Sequence, residues 1–167
     1  MNIWIEHLKN NDLNKVQSLI QDGENVNDSN ESGETVLMYA TRSHCDSTLL
    51  ELLLKSGADI SAIDHEGVSV FDMAITYNNI AMVNYILDKG IDVNQTQRKS
   101  NFTPLMCASC YGRYEIVELL LKNGADKEAT DTKGLTAIDF SRKMNKKSIL
   151  KLLDYDENAP KNTVYAR

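Results

Sequence analysis

The 167-residue chain is poor in cysteine and in long apolar runs, and each shortage excludes a class of protein. Three cysteines, Cys45, Cys107 and Cys110, are too few for a disulfide framework and are typical of a reducing compartment. No apolar run approaches the roughly 20 residues that span a bilayer. The N-terminus also lacks the basic start and apolar stretch of a signal peptide. We therefore expect a cytoplasmic protein without a membrane partner.

Positive charge is also scarce, since 18 Lys and Arg stand against 24 Asp and Glu, for a net charge of -6. This sign disfavours general nucleic-acid binding, because an acidic surface repels phosphates. The charge is uneven. Residues 1–34 hold two Lys against seven Asp and Glu, whereas residues 135–167 hold seven Lys and Arg against four. The acidic beginning and the basic end are candidate electrostatic docking surfaces.

What the chain does contain is a repeat of 33 or 34 residues. Four glycines that follow apolar, helix-like segments step by 34, 33 and 34 residues: Gly23, Gly57, Gly90 and Gly124. A second series, in which Thr or Ser starts an apolar stretch, steps by 34, 34 and 33 residues: Thr35, Ser69, Thr103 and Thr136. Two interleaved series with one period indicate a repeat architecture.

The hydroxyl series and the glycine series each suit one end of a helix. The hydroxyl oxygen of Thr or Ser can accept from an orphan backbone N–H at a helix start, which makes these residues N-caps. Pro104 then occupies the first helical position, and Asp72 and Asp139 form acidic capping boxes with their caps. The glycines suit the left-handed residue after a helix C-terminus. Such helix pairs must stack to bury their apolar faces.

The segment 103–108, Thr-Pro-Leu-Met-Cys-Ala, closely resembles the ankyrin signature Thr-Pro-Leu-His-x-Ala, with Met106 in the place of His. Segments 35–40 and 69–74 are looser copies, and 116–126 is similar to the family's second helix and hairpin start. The resemblance covers about residues 2–153. It implies an all-α solenoid of about five stacked helix-turn-helix units with β-hairpin or loop connections. The predicted domain spans 1–153, with units of about 1–34, 35–68, 69–102, 103–135 and 136–153, and is followed by a C-terminal tail, 154–167.

Two insertions depart from a regular array. One extra residue falls between the helices of the second unit, within 42–48, and another falls in the hairpin at 95–101. There Asn101 stands where Gly is usual, and we expect the turn to persist because Asn tolerates a left-handed backbone. At the N-terminus we expect Asn2 to cap the first helix and four residues to face inward: Ile3, Trp4, Ile5 and Leu8.

Two cysteine motifs suggest chemistry. Cys107-x-x-Cys110 has redox or zinc spacing, but it falls inside a helix, and no second Cys pair or spaced His pair completes a zinc site. His44, Cys45 and Asp46 contain the groups of a nucleophile set, yet neighbours in sequence do not generally share a face, and a third group must orient such a pair. We expect both motifs to be structural, with no catalytic residues, metal or cofactor.

In the ankyrin family, partners usually dock on the hairpin tips and the inner-helix face, and the resemblance carries that surface onto this chain. Val68, Phe102 and Leu135 are apolar where a solvated hairpin favours polar residues, and Tyr77 and Tyr111 are equivalent in adjacent units. Aromatic residues, Met and Arg are enriched at interface hot spots. The predicted binding residues are His65, Glu66, Val68, Tyr77, Arg98, Lys99, Phe102, Tyr111, Leu135 and Met144.

Two interpretations of the aromatic residues stay open. In the first, Phe102, Tyr77 and Tyr111 form an anchor cluster for a partner. In the second, both tyrosines pack in the turn between helices, and Phe102 covers the inner helix of the next unit.

The sequence predicts a monomeric, non-enzymatic module that binds a protein through its concave surface as an accessory, stabilising or inhibitory factor. An alternative is an immunity-type inhibitor whose acidic N-terminal half meets a basic toxin or enzyme. An enzyme and a nucleic-acid binder are the weaker alternatives, and no small-molecule substrate is expected. The basic stretch 142–147 lacks interleaved aromatics and is interpreted as the solvated face of a terminal helix.

Overall fold

The computed structural model describes residues 1–154, which form ten helices in five consecutive pairs. In each pair a first helix packs against the second helix that follows it, which confirms the five predicted units of an all-α solenoid. Apart from Asp154, the predicted tail lies outside the described residues. The first helices are α1 Asn2–Lys9, α3 Val36–Arg42, α5 Val70–Thr76, α7 Pro104–Tyr111 and α9 Ala137–Lys143, and the second helices are α2 Leu13–Gln21, α4 Ser47–Lys55, α6 Ile80–Asp88, α8 Tyr114–Lys122 and α10 Lys147–Leu152.

The first helices of neighbouring units pack together more closely than the second helices do. A stack of two layers with unequal spacing bends toward the more closely packed layer, as in other helical solenoids. The first helices and the hairpins before them therefore line the inner, concave side of the array.

The four predicted N-caps are confirmed. In each, the hydroxyl oxygen accepts from the backbone N–H three residues later, at 3.1–3.4 Å. Asp72 and Asp139 complete the predicted acidic boxes by accepting from the cap N–H at 2.9 and 3.0 Å. In the other two boxes a thioether sulfur, of Met38 or Met106, lies 3.5 Å from the cap nitrogen. Sulfur is a weak acceptor, so the carboxylate boxes are the stronger ones.

Left-handed residues end the helices as the sequence predicts. The four glycines after the second helices have φ between 72° and 92°, and Asn101 has φ 55° with its N–H bonded to the Arg98 carbonyl at 2.9 Å. The structure adds a second series that the sequence analysis missed. Each turn between a first and a second helix contains one left-handed residue: Asn11, His44, Asn78, Gly112 and Asn145.

The first unit differs from its prediction. Helix α1 begins at Asn2 and is preceded by Met1, so Asn2 is not the N-cap. Trp4 and Leu8 are buried, but Ile3 is 45% exposed and Ile5 is only partly buried. Positions 4 and 8 lie one helical turn apart on one face, and position 3 points away from it. The inward orientation predicted for Ile3 is therefore wrong.

His44 stands out in the turn series, because the equivalent residues are Asn or Gly. It has φ 56°, is exposed, and lies in the loop with the extra residue. We predict that His44→Asn raises the free energy of unfolding by about 0.5 kcal/mol, since Asn adopts this conformation at lower cost. Urea denaturation measures the change. Ser43→Asn, at a neighbouring position with φ -82°, is the control, and an equal gain there would contradict the explanation.

Candidate functional site

Side chains from the helix–helix turns tie the second, third and fourth units to the unit before them. The last carbonyl groups of a helix lack partners within the helix, and here a donor from the next unit satisfies one of them. The three donors occupy equivalent positions, each directly after the left-handed residue of its turn. The bonds are Cys45 Sγ to the Leu8 oxygen at 3.2 Å, Asn79 Nδ2 to the Thr41 oxygen at 3.2 Å, and an Arg113 guanidinium nitrogen to the Thr76 oxygen. These ties fix the spacing of the first helices.

The same geometry explains both cysteine motifs. Cys45 is buried, and burial raises the pKa of its thiol to about 11. Burial raises the pKa of Cys107 to about 12, and its sulfur lies 3.4 Å from the Thr76 hydroxyl. A nucleophilic cysteine needs the opposite shift, toward thiolate at neutral pH. Cys110 is partly buried, and all three thiols are free.

A buried carboxylate holds the third hairpin against the concave face. Asp72 is 3% exposed, accepts from the Ser69 hydroxyl and N–H, and lies 3.2 Å from Arg98 Nη2. The Arg98 guanidinium lies 5.3 Å from the ring centre of Phe102, which packs edge-on against Phe140 at 5.0 Å. Phe102 therefore packs against α9 of the fifth unit, whereas the second interpretation placed it on the inner helix of the unit next to 69–102.

The second unit has its own ion pair on this face. Glu34 is buried, and both of its oxygens are bonded to the guanidinium of Arg42. The hydrogen bond that Arg42 donates to Glu34 is the largest cause of the raised pKa of Arg42. The Arg42 guanidinium also lies over the ring of Tyr39, at 4.3 Å. The two charges therefore neutralise each other, and neither is left unpaired on this face.

The hairpin tips stack into a continuous ribbon. The His65 N–H bonds to the Ser32 carbonyl at 3.0 Å, and the Thr132 N–H bonds to the Ser100 carbonyl at 2.9 Å. Gly67 has φ 76°, and a Cβ added there would lie 2.4 Å from the Gln97 carbonyl oxygen, so only Gly fits this contact. A groove of about 290 Å³ runs between two neighbouring tips and is lined by His65, Glu66, Val68, Arg98, Lys99 and Ser100.

Three large apolar residues stay exposed at one equivalent position, the eighth after the cap, in three successive units. They are Tyr77, Tyr111 and Met144, with 39%, 48% and 48% of their surface accessible. We call these three residues the stripe. Each directly follows or ends a first helix, so the stripe lies along the first-helix layer. Partial burial beside Cys107 and Cys110 raises the pKa of Tyr111, and the phenol stays neutral at physiological pH.

The ten predicted binding residues therefore fall into three groups. Five line the groove between the tips, and three form the stripe. Phe102 and Leu135 are partly buried at the base of their hairpins. The sequence analysis missed Asp72 and Arg113 as the groups that position this surface. Asp72 was identified only as a capping residue, and its pairing with Arg98 in a distant hairpin has no local sequence signal.

No helix in residues 1–154 is long and apolar enough to cross a bilayer. The same residues contain no group of three or more His, Cys, Asp or Glu side chains that could hold a metal ion.

Arg98 is the partner of a buried carboxylate, so its loss leaves an unpaired charge in the interior. We predict that Arg98→Ala lowers the free energy of unfolding by about 2 kcal/mol. Lys99→Ala, at the exposed neighbouring position, should change it by less than about 0.5 kcal/mol. Asp72→Asn combined with Arg98→Ala should cost less than Arg98→Ala alone, because no charge remains buried. Denaturant titration of the variants tests this, and equal losses for Arg98 and Lys99 would contradict it.

The sequence was compared with the sequence profiles of known protein families. The sequence profile for ankyrin repeats, which holds three copies, matches residues 5–97, 63–131 and 96–163. These overlapping matches cover nearly the whole chain.

Individual relatives are much longer proteins. The E3 ubiquitin-protein ligase hecd-1 of Caenorhabditis elegans is 39% identical over 98 residues, which are 58% of this chain and 4% of that protein. The tyrosine-protein kinase HTK16 of Hydra vulgaris is 30% identical over 156 residues, 90% of this chain and 20% of that protein. The nuclear factor NF-kappa-B p105 subunit of Gallus gallus is 33% identical over 130 residues, 75% of this chain and 13% of that protein.

The chain thus matches only a small share of each relative's length. With the profile match across its length and five stacked helix pairs, the chain belongs to the ankyrin-repeat family.

Proposed function

We propose that this ankyrin array is a non-enzymatic cytoplasmic binding module that holds a partner protein on its concave face. Ankyrin repeats are in general protein-interaction modules, and the fold is not a catalytic one. The observation that carries the proposal is the stripe, in which three units expose a large apolar side chain at the same position. Apolar residues scattered singly are ordinary, whereas an aligned set is typical of an interface.

The surroundings of the stripe support a preorganised surface. The cross-unit bonds of Asn79 and Arg113 end on carbonyls of the first helices beside it, and the Arg113 guanidinium lies 6.0 Å from the Tyr111 ring centre. A surface fixed in advance loses little conformational entropy on binding. The role we propose is accessory, stabilising or inhibitory toward one partner.

The groove between the tips extends this surface. Tyr and Met on the stripe would supply the central apolar contacts, and the polar groove residues, including Glu66 and Lys99, would form the rim. The immunity-type alternative uses the acidic N-terminal part instead. Two of the carboxylates there are already paired, Asp28 with the Met1 amino group and Glu34 with Arg42, which makes that surface the weaker candidate.

The stripe should dominate capture of a partner. We predict that replacing Tyr77, Tyr111 and Met144 together by Ala weakens partner binding more than tenfold, because central apolar anchors carry most of the binding energy. Affinity capture from the lysate of the source organism, followed by titration of the captured protein, measures the loss.

A matched control changes three other exposed large apolar residues to Ala, those that complete the exposed set within residues 1–154: Ile3, Ile63 and Tyr114. Circular dichroism and a denaturation midpoint confirm that both variants are folded. A partner that both variants hold equally well would show that the stripe is not its binding site.

A further inference from the structure

The exposed charges of the concave side differ in sign from those of the whole chain. The net charge is -6. Yet on the first-helix layer the carboxylates Glu34, Asp72 and Asp139 are each paired with an arginine of the same face. Pairing leaves these acids with little effect on an approaching partner, because each faces an opposite charge at contact distance.

On this side of the third to fifth units, three lysines are exposed and have no ion-pair partner within residues 1–154: Lys99, Lys133 and Lys143. Lys99 and Lys133 lie at neighbouring hairpin tips, joined by the Thr132–Ser100 backbone bond. Lys143 ends α9 and directly precedes Met144 of the stripe.

The position of Lys143 on the concave face follows from its counterpart in the second unit. Both Arg42 and Lys143 are the seventh residue after their caps, Thr35 and Thr136. Arg42 reaches the residue just before its cap, Glu34, across the concave face. In the fifth unit that residue is Leu135, which offers no carboxylate, so the Lys143 ammonium group remains available.

Exposed acids are few on this part of the concave side. At the tips, Glu31 and Glu66 belong to the first two hairpins, and of these Glu66 lines the groove beside Lys99. The second helices, on the opposite layer, expose charges of both signs: the carboxylates Glu51, Asp88, Glu115 and Glu118, and the lysines Lys15, Lys55, Lys122, Lys147 and Lys151. The concave face of the third to fifth units differs because its unpaired lysines lie beside the exposed apolar stripe, so an acidic partner is attracted where it can also make apolar contacts.

From this juxtaposition we infer that the stripe receives an acidic segment of a partner protein that carries large apolar side chains. The inference rests on the proposed function and narrows it. The apolar side chains of the segment contact Tyr77, Tyr111 and Met144, and its carboxylates face the three lysines. Complementary charges of this kind set the association rate and the choice of partner.

The same lysines and tyrosines could attract single-stranded nucleic acid, but the surface favours a peptide. Met144 and Leu135 are aliphatic and cannot stack on bases as aromatic rings do. Beyond about 8–10 Å, screening removes the attraction of a small patch, so a long polyphosphate gains little from three lysines on an acidic protein.

Selection from a random peptide library displayed on phage, against the immobilised full chain, tests the inference. We expect enriched peptides that combine Asp or Glu with aromatic or large aliphatic residues. Replacing Lys99, Lys133 and Lys143 together by Glu should weaken their binding at least about tenfold at low salt, and high salt should shrink this difference.

The control variant changes three exposed lysines of the second-helix layer to Glu, and so makes the same change in net charge. They are Lys15, Lys122 and Lys151. Its affinity for the selected peptides should stay within about twofold of the parent. A parallel titration uses random-sequence single-stranded RNA as the probe.

The outcomes separate the two claims. Peptides that lose affinity when the stripe is changed to Ala, but not when the concave lysines are reversed, would overturn the inference and keep the proposed function. Peptides insensitive to both changes, or no enrichment at all, would overturn both. Enrichment of neutral or basic peptides would also overturn the inference. So would RNA that binds more tightly than the best peptides and loses its affinity when Lys99, Lys133 and Lys143 are changed to Glu.

Discussion

The first helices are seven or eight residues long, which is too short for a helix to be stable alone in water. The short helices are stable here because contacts outside each helix stabilise them. Hydroxyl caps satisfy the first N–H groups, turn side chains of the next unit satisfy carbonyls at the other end, and the apolar faces are buried against neighbouring units. A unit is therefore stable only as part of the stack, and the stack in turn fixes the spacing of the exposed side chains.

The proposed binding surface follows from this stacking. Because the units repeat, equivalent positions recur at the repeat distance, and at one of them Tyr77, Tyr111 and Met144 are exposed. Beside them, the paired Asp72 and Arg98 anchor the third hairpin and place Lys99 at its tip. The residues that hold the scaffold together and those offered to a partner are thus largely different residues, which allows the surface to vary without loss of the fold.

The sequence predicted what depends on local signals. The caps Thr35, Ser69, Thr103 and Thr136, the post-helical glycines and the five units were all confirmed, because each needs only a few neighbouring residues. What depends on the rotation of one unit against another was not predictable. The bonds from Cys45 to Leu8 and from Arg113 to Thr76 join residues more than 30 positions apart. The wrong orientation of Ile3 has a different, local origin, since positions 4 and 8 share one helical face and position 3 does not lie on it.

The most direct test of the central claim, that a protein partner sits on the stripe, is site-specific photo-cross-linking. A benzophenone amino acid is placed at position 111 on the stripe or at position 118, which is exposed on the second helix α8 of the same unit. Irradiation in the source organism's lysate should give one defined adduct from position 111 and none from position 118. The same adduct from position 118 alone, or equally from both, would contradict the account, because the partner would then contact the outer layer.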